Sequence, residues 1–94
     1  SMLIAREGNL HNTLKTLRKR GIKIIGASTS GINLFSADLK GPVALVIGGE
    51  DRGISRSIEE NCDLLVSIPT KGSVKCLNAS VAAAIILYEK LRQS

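Results

Sequence analysis

The sequence predicts an α/β domain, a parallel sheet with helices on both faces. Three observations point to it. Segments of helical spacing alternate with short β-branched runs, and a strand that returns through a helix comes back parallel to its predecessor. Val43-Ala44-Leu45-Val46-Ile47 is apolar at every position. A strand wet on one face would alternate, so this one is covered on both faces and central. Finally, 44% of the 94 residues are hydrophobic but only 2% aromatic. The core is therefore aliphatic, which suits a sheet covered by helices.

The elements follow in order. Leu10, Leu14 and Leu17 recur at the spacing of one helix face. Asn9 is the expected N-cap of this helix and Gly21 its expected stop. Ile22 to Ala27 is a β-branched run and reads as a strand. Residues 28–42, rich in Ser, Thr, Gly and Asn, read as a loop with a short extended piece at Ile32–Phe35. The central strand 43–47 comes next, then the tight polar loop Gly48-Gly49-Glu50-Asp51-Arg52-Gly53. Ser55 caps a short helix through Asn61, and residues 64–68 form a strand halted by Pro69. A second loop, 70–75, leads to a last helix capped by Asn78 and almost wholly apolar from Val81 to Leu87. Three strands are few for so apolar a set, and none is expected before the first helix. The whole chain, 1–94, is expected to be one domain that is the C-terminal part of a larger one, or that completes itself on another chain.

Composition excludes several functions. With one Tyr, one Phe and no Trp, the chain cannot build an aromatic platform for single-stranded bases. Cys62 and Cys76 have no metal-ligand spacing and His11 stands far from both, so no metal is expected. There is no apolar run of the ~18 residues that a membrane span needs, and the expectation is a cytoplasmic protein with reduced thiols. Ser73 and Ser80 have no base near them in sequence, so no hydrolase triad is visible. Net charge is +5, and all of the excess lies in residues 1–47, mostly at Lys15, Arg18, Lys19, Arg20 and Lys23. Two compatible readings stand: a solvated face with cations at a helix C-terminus, or a surface for nucleic-acid phosphates.

Ligands of parallel α/β sheets bind outside the carboxyl ends of the strands. The loops 48–53 and 69–77 both sit there. Gly48-Gly49-Glu50-Asp51-Arg52-Gly53 is neither a Walker loop nor the dinucleotide fingerprint. An acidic loop repels phosphate and better suits an adenosine ligand with a positive centre. Each residue singled out has a plainer reading: Asn78 as a helix cap, Cys76 as a small apolar side chain, and Glu50 as an anchor for its own loop.

Two stretches together resemble a known family. Residues 45–55, LVIGGEDRGIS, and 66–89, VSIPTKGSVKCLNASVAAAIILYE, are similar at this separation to the last two motifs of the SpoU (TrmH-type) RNA ribose 2′-O-methyltransferases, of the SPOUT superfamily. Residues 9–28 match the stretch that precedes them. The resemblance implies a C-terminal trefoil knot, S-adenosylmethionine as cofactor, an RNA substrate (ribosomal or transfer RNA), and a homodimer through the last helix. That helix would then be buried on nearly every side, which would explain its missing polar face. Gly48, Ile68 and Leu77 match the cofactor-binding positions, and Glu50 and Asn78 match the active-site glutamate and asparagine. Cys76 departs from the usual serine, Gly49 from a frequent asparagine, and Asp51 from a small residue. The family's first motif, with its catalytic arginine, has no counterpart here. The resemblance therefore implies a chain that carries the cofactor site and is inactive alone. The alternative is a non-catalytic module that binds cofactor or RNA.

Overall fold

Four strands, not three, form one wholly parallel sheet in the computed structural model, which describes residues 2–6, 10–48, 53–71 and 78–94. They are β1 (Met2–Arg6), β2 (Lys23–Asn33), β3 (Val43–Ile47) and β4 (Leu64–Ser67), in the spatial order β1-β3-β2-β4. The helices are α1 (His11–Lys19), α2 (Arg56–Glu60) and α3 (Ala79–Gln93). The expectation that no strand precedes the first helix is thus corrected. β1 pairs with β3 over its full length, from Met2 opposite Val43 to Arg6 opposite Ile47. Four apolar residues and an arginine have too little pattern of their own, and the free edge of β3 makes them a strand.

β3 has neighbours on both edges and is buried at all five positions. Its side chains alternate between two cores. Val43, Leu45 and Ile47 join Ile25, Leu34, Leu39, Val66 and Ile86 on the α3 face. Ala44 and Val46 join Leu10, Leu14, Ile24, Ile54 and Ile58 on the α1/α2 face. Helices cover both faces, as the uninterrupted apolar strand predicted.

The loop assigned to 28–42 is corrected as well. β2 pairs with β4 up to Ala27 opposite Val66, leaves the ladder, and rejoins it at Ile32 opposite the same Val66. Ser28–Gly31 is therefore a bulged excursion within a strand. A single turn of 3-10 helix, Leu34–Ser36, ends it. The polar residues hide the strand from a pattern reading, and Gly31 explains how the ladder recovers. A β-carbon there would lie 2.5 Å from the Leu65 carbonyl carbon and 2.6 Å from the Val66 nitrogen. Only a residue without a side chain lets the two backbones meet.

The helix ends follow local chemistry. Leu10 is the N-cap of α1, with no side-chain cap, in place of Asn9, which lies outside the described residues. At the other end Gly21 takes a φ of 79°, and its N–H donates to Arg18 O while Ile22 N–H donates to Leu17 O. This is the Schellman stop that a glycine favours. Ser55 caps α2 by accepting from Ile58 N–H, as its position predicted.

α3 starts at the carboxyl end of the sheet and finishes at the amino end. There Gln93 Nε2 donates to Ala37 O and Gln93 Oε1 accepts from Leu39 N–H, both at 2.8 Å. Lys90 Nζ donates to Leu39 O and Gly41 O. These bonds clamp the connection before β3 onto the helix. Only Ala82, Ile86 and Glu89 of α3 are buried. The expected burial on nearly every side is not met within one chain, because Val81, Leu87, Tyr88 and Leu91 face outward. No helix among the described residues is long and apolar enough to cross a membrane.

Gly31→Ala should destabilise the fold by about 1–3 kcal/mol through overpacking against the β4 backbone. Urea unfolding measures this, and an unchanged midpoint would contradict the close approach.

Candidate active site

The two motif loops leave the sheet at its carboxyl end. Gly48 follows β3 directly and is buried. Ile68 follows β4 and is half-buried. Asn78 stands immediately before α3. Ile47, Ile68 and Ala79 share one apolar cluster, so two strand ends and the start of the last helix converge. Of the five residues singled out from the sequence, the fold brings Gly48, Ile68 and Asn78 together. Glu50 and Leu77 lie outside the described residues, as do Gly49, Asp51 and Cys76.

Gly48 is glycine for a reason the sequence reading missed. A β-carbon at Gly48 would fall 1.9 Å from Gly53 O and 2.4 Å from Ile54 N. The loop is closed at its base by backbone lying on backbone.

Asn78 accepts from Ser80 N–H through Oδ1 at 2.8 Å. This is the helix-capping bond expected of it, and it fixes the side chain at the mouth of the site. The β2 excursion, given no role from the sequence, rises between the ends of β3 and β4 because β2 lies between them. Ser28 Oγ donates to Glu59 Oε2 at 2.7 Å and lies 2.9 Å from Ser30 Oγ. It ties the excursion to α2. Nothing in the polar run Ser28-Thr29-Ser30 announces this pairing.

Two arrangements that look reactive are not. Ser57 Oγ lies 3.2 Å from His11 Nε2, and Asn61 Nδ2 lies 3.4 Å from His11 Nδ1, a grouping reminiscent of a Ser-His-Asn triad. However, Asn61 Nδ2 also donates to Ser57 O at 2.9 Å. The network therefore assigns Nδ1 as an acceptor and puts the ring proton on Nε2, pointing at the serine. A general base needs the opposite tautomer. Cys62 donates to Ile58 O, and its thiol is pushed up to about 11, first by burial and then by the charges of Asp63 and Glu59. It stays protonated and is no nucleophile. Among the described residues no His, Cys, Asp and Glu side chains gather as a metal site.

Residues 2–88 match the profile of the SpoU rRNA Methylase family. The chain belongs to the SpoU rRNA methylase family. It is 50% identical over 86 residues to the 23S rRNA (guanosine-2'-O-)-methyltransferase RlmB of Ralstonia nicotianae, spanning 90% of this chain and 34% of that protein. An uncharacterized tRNA/rRNA methyltransferase of Archaeoglobus fulgidus is 47% identical, over 96% of this chain and 40% of its own length. This SpoU chain thus spans between a third and two fifths of these relatives. Among solved structures, the TrmH/SpoU tRNA modifying enzyme of A. aeolicus superposes with a TM-score of 0.80 at 38% identity, over 93% of this chain and 45% of that one. The SpoU methyltransferase AviRb of Streptomyces viridochromogenes, crystallised with AdoMet, superposes with a TM-score of 0.76 at 38% identity, over 92% and 34% of the two chains.

The capping role of Asn78 has a direct check. Asn78→Ala should cost about 1 kcal/mol of stability and Asn78→Ser should recover it, since serine caps as well as asparagine. Equal urea midpoints for all three proteins would refute the cap.

Proposed function

We propose that this chain is the cofactor-binding part of an S-adenosylmethionine-dependent RNA methyltransferase that modifies a ribose 2′-hydroxyl of ribosomal or transfer RNA. The observation that carries the reading is the convergence of Gly48, Ile68 and Asn78 at the carboxyl ends of a parallel sheet, in a chain of the SpoU family. The residues present suit the cofactor. Ile68 lies with Ile47 and Ala79 in an apolar cluster at the strand ends, which matches an adenine ring, and Gly48 and Ile68 carry peptide groups there. Leu77 is assigned the remaining cofactor contact. When bound, S-adenosylmethionine supplies a methyl group already activated on a sulfonium.

The chain's own residues then hold and orient. The contact at Gly48 closes the base of the loop in which Glu50 stands in the sequence, and the cap bond holds the Asn78 side chain in a set position. Holding two reactants in a near-attack geometry is itself worth several kcal/mol of barrier. A ribose hydroxyl is a weak acid, so its attack also needs a group that takes the proton. By family resemblance an arginine of the first motif, which has no counterpart here, helps the hydroxyl lose it, and Glu50 and Asn78 position the ribose. The non-catalytic alternative has no observation in its favour.

The same reading includes a C-terminal trefoil knot, a cytoplasmic location and a homodimer through α3. The outward face of α3 supports the dimer. Tyr88 and Leu91 are 73% and 62% exposed, and Phe35 is 57% exposed. A groove of about 740 Å³ runs past Phe35 and Tyr88, lined also by Ala84, Ile85, Glu89 and Arg92. Glu89 lies beneath the Arg92 guanidinium and the Gln93 amide. Those bonds, with Arg92 first, hold its carboxyl down to about 2. The groove floor is thereby kept ionised but paired. A second copy would cover this exposed apolar surface.

Calorimetry with S-adenosylmethionine and with its demethylated product tests the cofactor assignment. Both should bind, and a folded chain that gives no heat with either sinks it. In the protein that transfers methyl, Asn78→Ser should lower turnover while keeping its stability, and Glu50→Ala should lower turnover more than cofactor affinity. Tyr88→Glu with Leu91→Glu should turn a dimer into a monomer in sedimentation velocity. A wild type that sediments as a monomer at every concentration would remove the dimer.

A further inference from the structure

The cationic excess of the sequence is gathered by the fold at one edge, the amino end of the sheet. Lys23 opens β2 opposite Val43, which opens β3. The segments leading into them, Arg20–Ile22 and Lys40–Pro42, meet at the sheet, with Lys23 N–H bonded to Pro42 O. Lys90 reaches the same place from α3 by its bonds to Leu39 O and Gly41 O. Arg18 arrives from α1, bonded to Asn61 O and paired with Asp63 at 3.5 Å.

The carboxylates that touch this group are Asp63 and Asp38. Asp38 is held below the ordinary carboxylate range, first by the Lys40 N–H and then by the Lys23 charge, with Lys40 and Lys90 adding to it. Several cations have structural work here: Arg18 on α2, Lys23 on Asp38 O, and Lys90 on the clamp. Lys19 and Arg20 have none, and Lys40 contributes only its charge near Asp38. All three are exposed, and their side chains make no hydrogen bond or ion pair among the described residues. Lys15 continues the strip one turn up α1. Lys40 and Lys90 are distant from α1 in sequence, so only the fold assembles this edge.

We infer that Lys19, Arg20 and Lys40 form a phosphate-contact surface for RNA at the end of the domain opposite the methyl-transfer site, holding a segment of substrate away from the reacting nucleotide. The inference rests on the reading of the chain as part of an RNA methyltransferase. The five residues of β3 separate this edge from Gly48 by about 17 Å at the rise of an extended strand. The surface therefore cannot touch the ribose that reacts. It contributes affinity and register, which is what phosphate contacts supply. A purely local role, cations placed on the C-terminus of α1, accounts for Lys19 and Arg20. It does not account for Lys40, which belongs to no helix.

The test is the salt dependence of binding to poly(U) RNA and to an RNA duplex, for the wild-type chain and the triple variant Lys19→Gln, Arg20→Gln, Lys40→Gln. Three lost phosphate contacts should flatten the log–log slope by about two units on the single strand and somewhat more on the duplex. Calorimetric affinity for S-adenosylmethionine should not change, because the site is at the other end. Parallel salt lines overturn the inference, as does a variant that loses thermal stability but keeps its RNA slope. Tighter binding of polyglutamate than of either RNA, lost in the same variant, would assign the edge to an acidic protein instead. If neither protein binds the cofactor, the proposed function fails on that result, while the slopes still decide this surface.

Discussion

The burial of β3 is the constraint on which the rest depends. It is paired on both edges and covered on both faces. A backbone in that position has all its polar groups satisfied by its neighbours and nowhere else to send them. β1 and β2 are strands because β3 needs partners, and α1 and α3 pack where they do because alternate side chains of β3 need covers. The carboxyl end of β3 then fixes Gly48, and with it the base of the loop that carries Glu50.

Backbone-on-backbone contact is the second device. Gly48 lies against Gly53, and Gly31 lies against Leu65 and Val66. Neither is a flexible hinge. Both are places where a single methyl group would push two chain segments apart. The first closes the motif loop at its root. The second lets β2 carry a hydroxyl-rich excursion at the carboxyl end and still return to its ladder. Both stiffen the end of the sheet where Ile68 and Asn78 also arrive, and a rigid frame is what a site made of loops requires.

The molecule is also polarised. Motif residues gather at the carboxyl end of the strands, cations at the amino end, and an apolar face runs along α3 between them. The clamp of Lys90 and Gln93 on residues 37–41 joins two of these regions. It secures the C-terminal turn of α3, whose outer side carries Leu91, and the connection that carries Lys40. An apolar helix can be left open on one side only if something else fixes it in place, and here that is a set of hydrogen bonds to main-chain carbonyls and one main-chain N–H.

The sequence by itself determined the local elements whose cause lies within a few residues. The period of Leu10, Leu14 and Leu17, the stop at Gly21, the caps at Ser55 and Asn78 and the unbroken apolar run of β3 were all legible, because each depends on side-chain spacing or a local hydrogen bond. The motifs at 45–55 and 66–89 were likewise enough to indicate the family. The tertiary structure decided whatever depends on a distant partner. β1 has too few residues to declare itself without the edge of β3. The extension of β2 past Ala27 depends on how closely β4 lies to Gly31. The outer face of α3 was left open, and the segment carrying Lys40 was brought to Lys23 and Lys90. In each case the deciding contact joins residues well separated along the chain, and a sequence pattern does not encode such proximity.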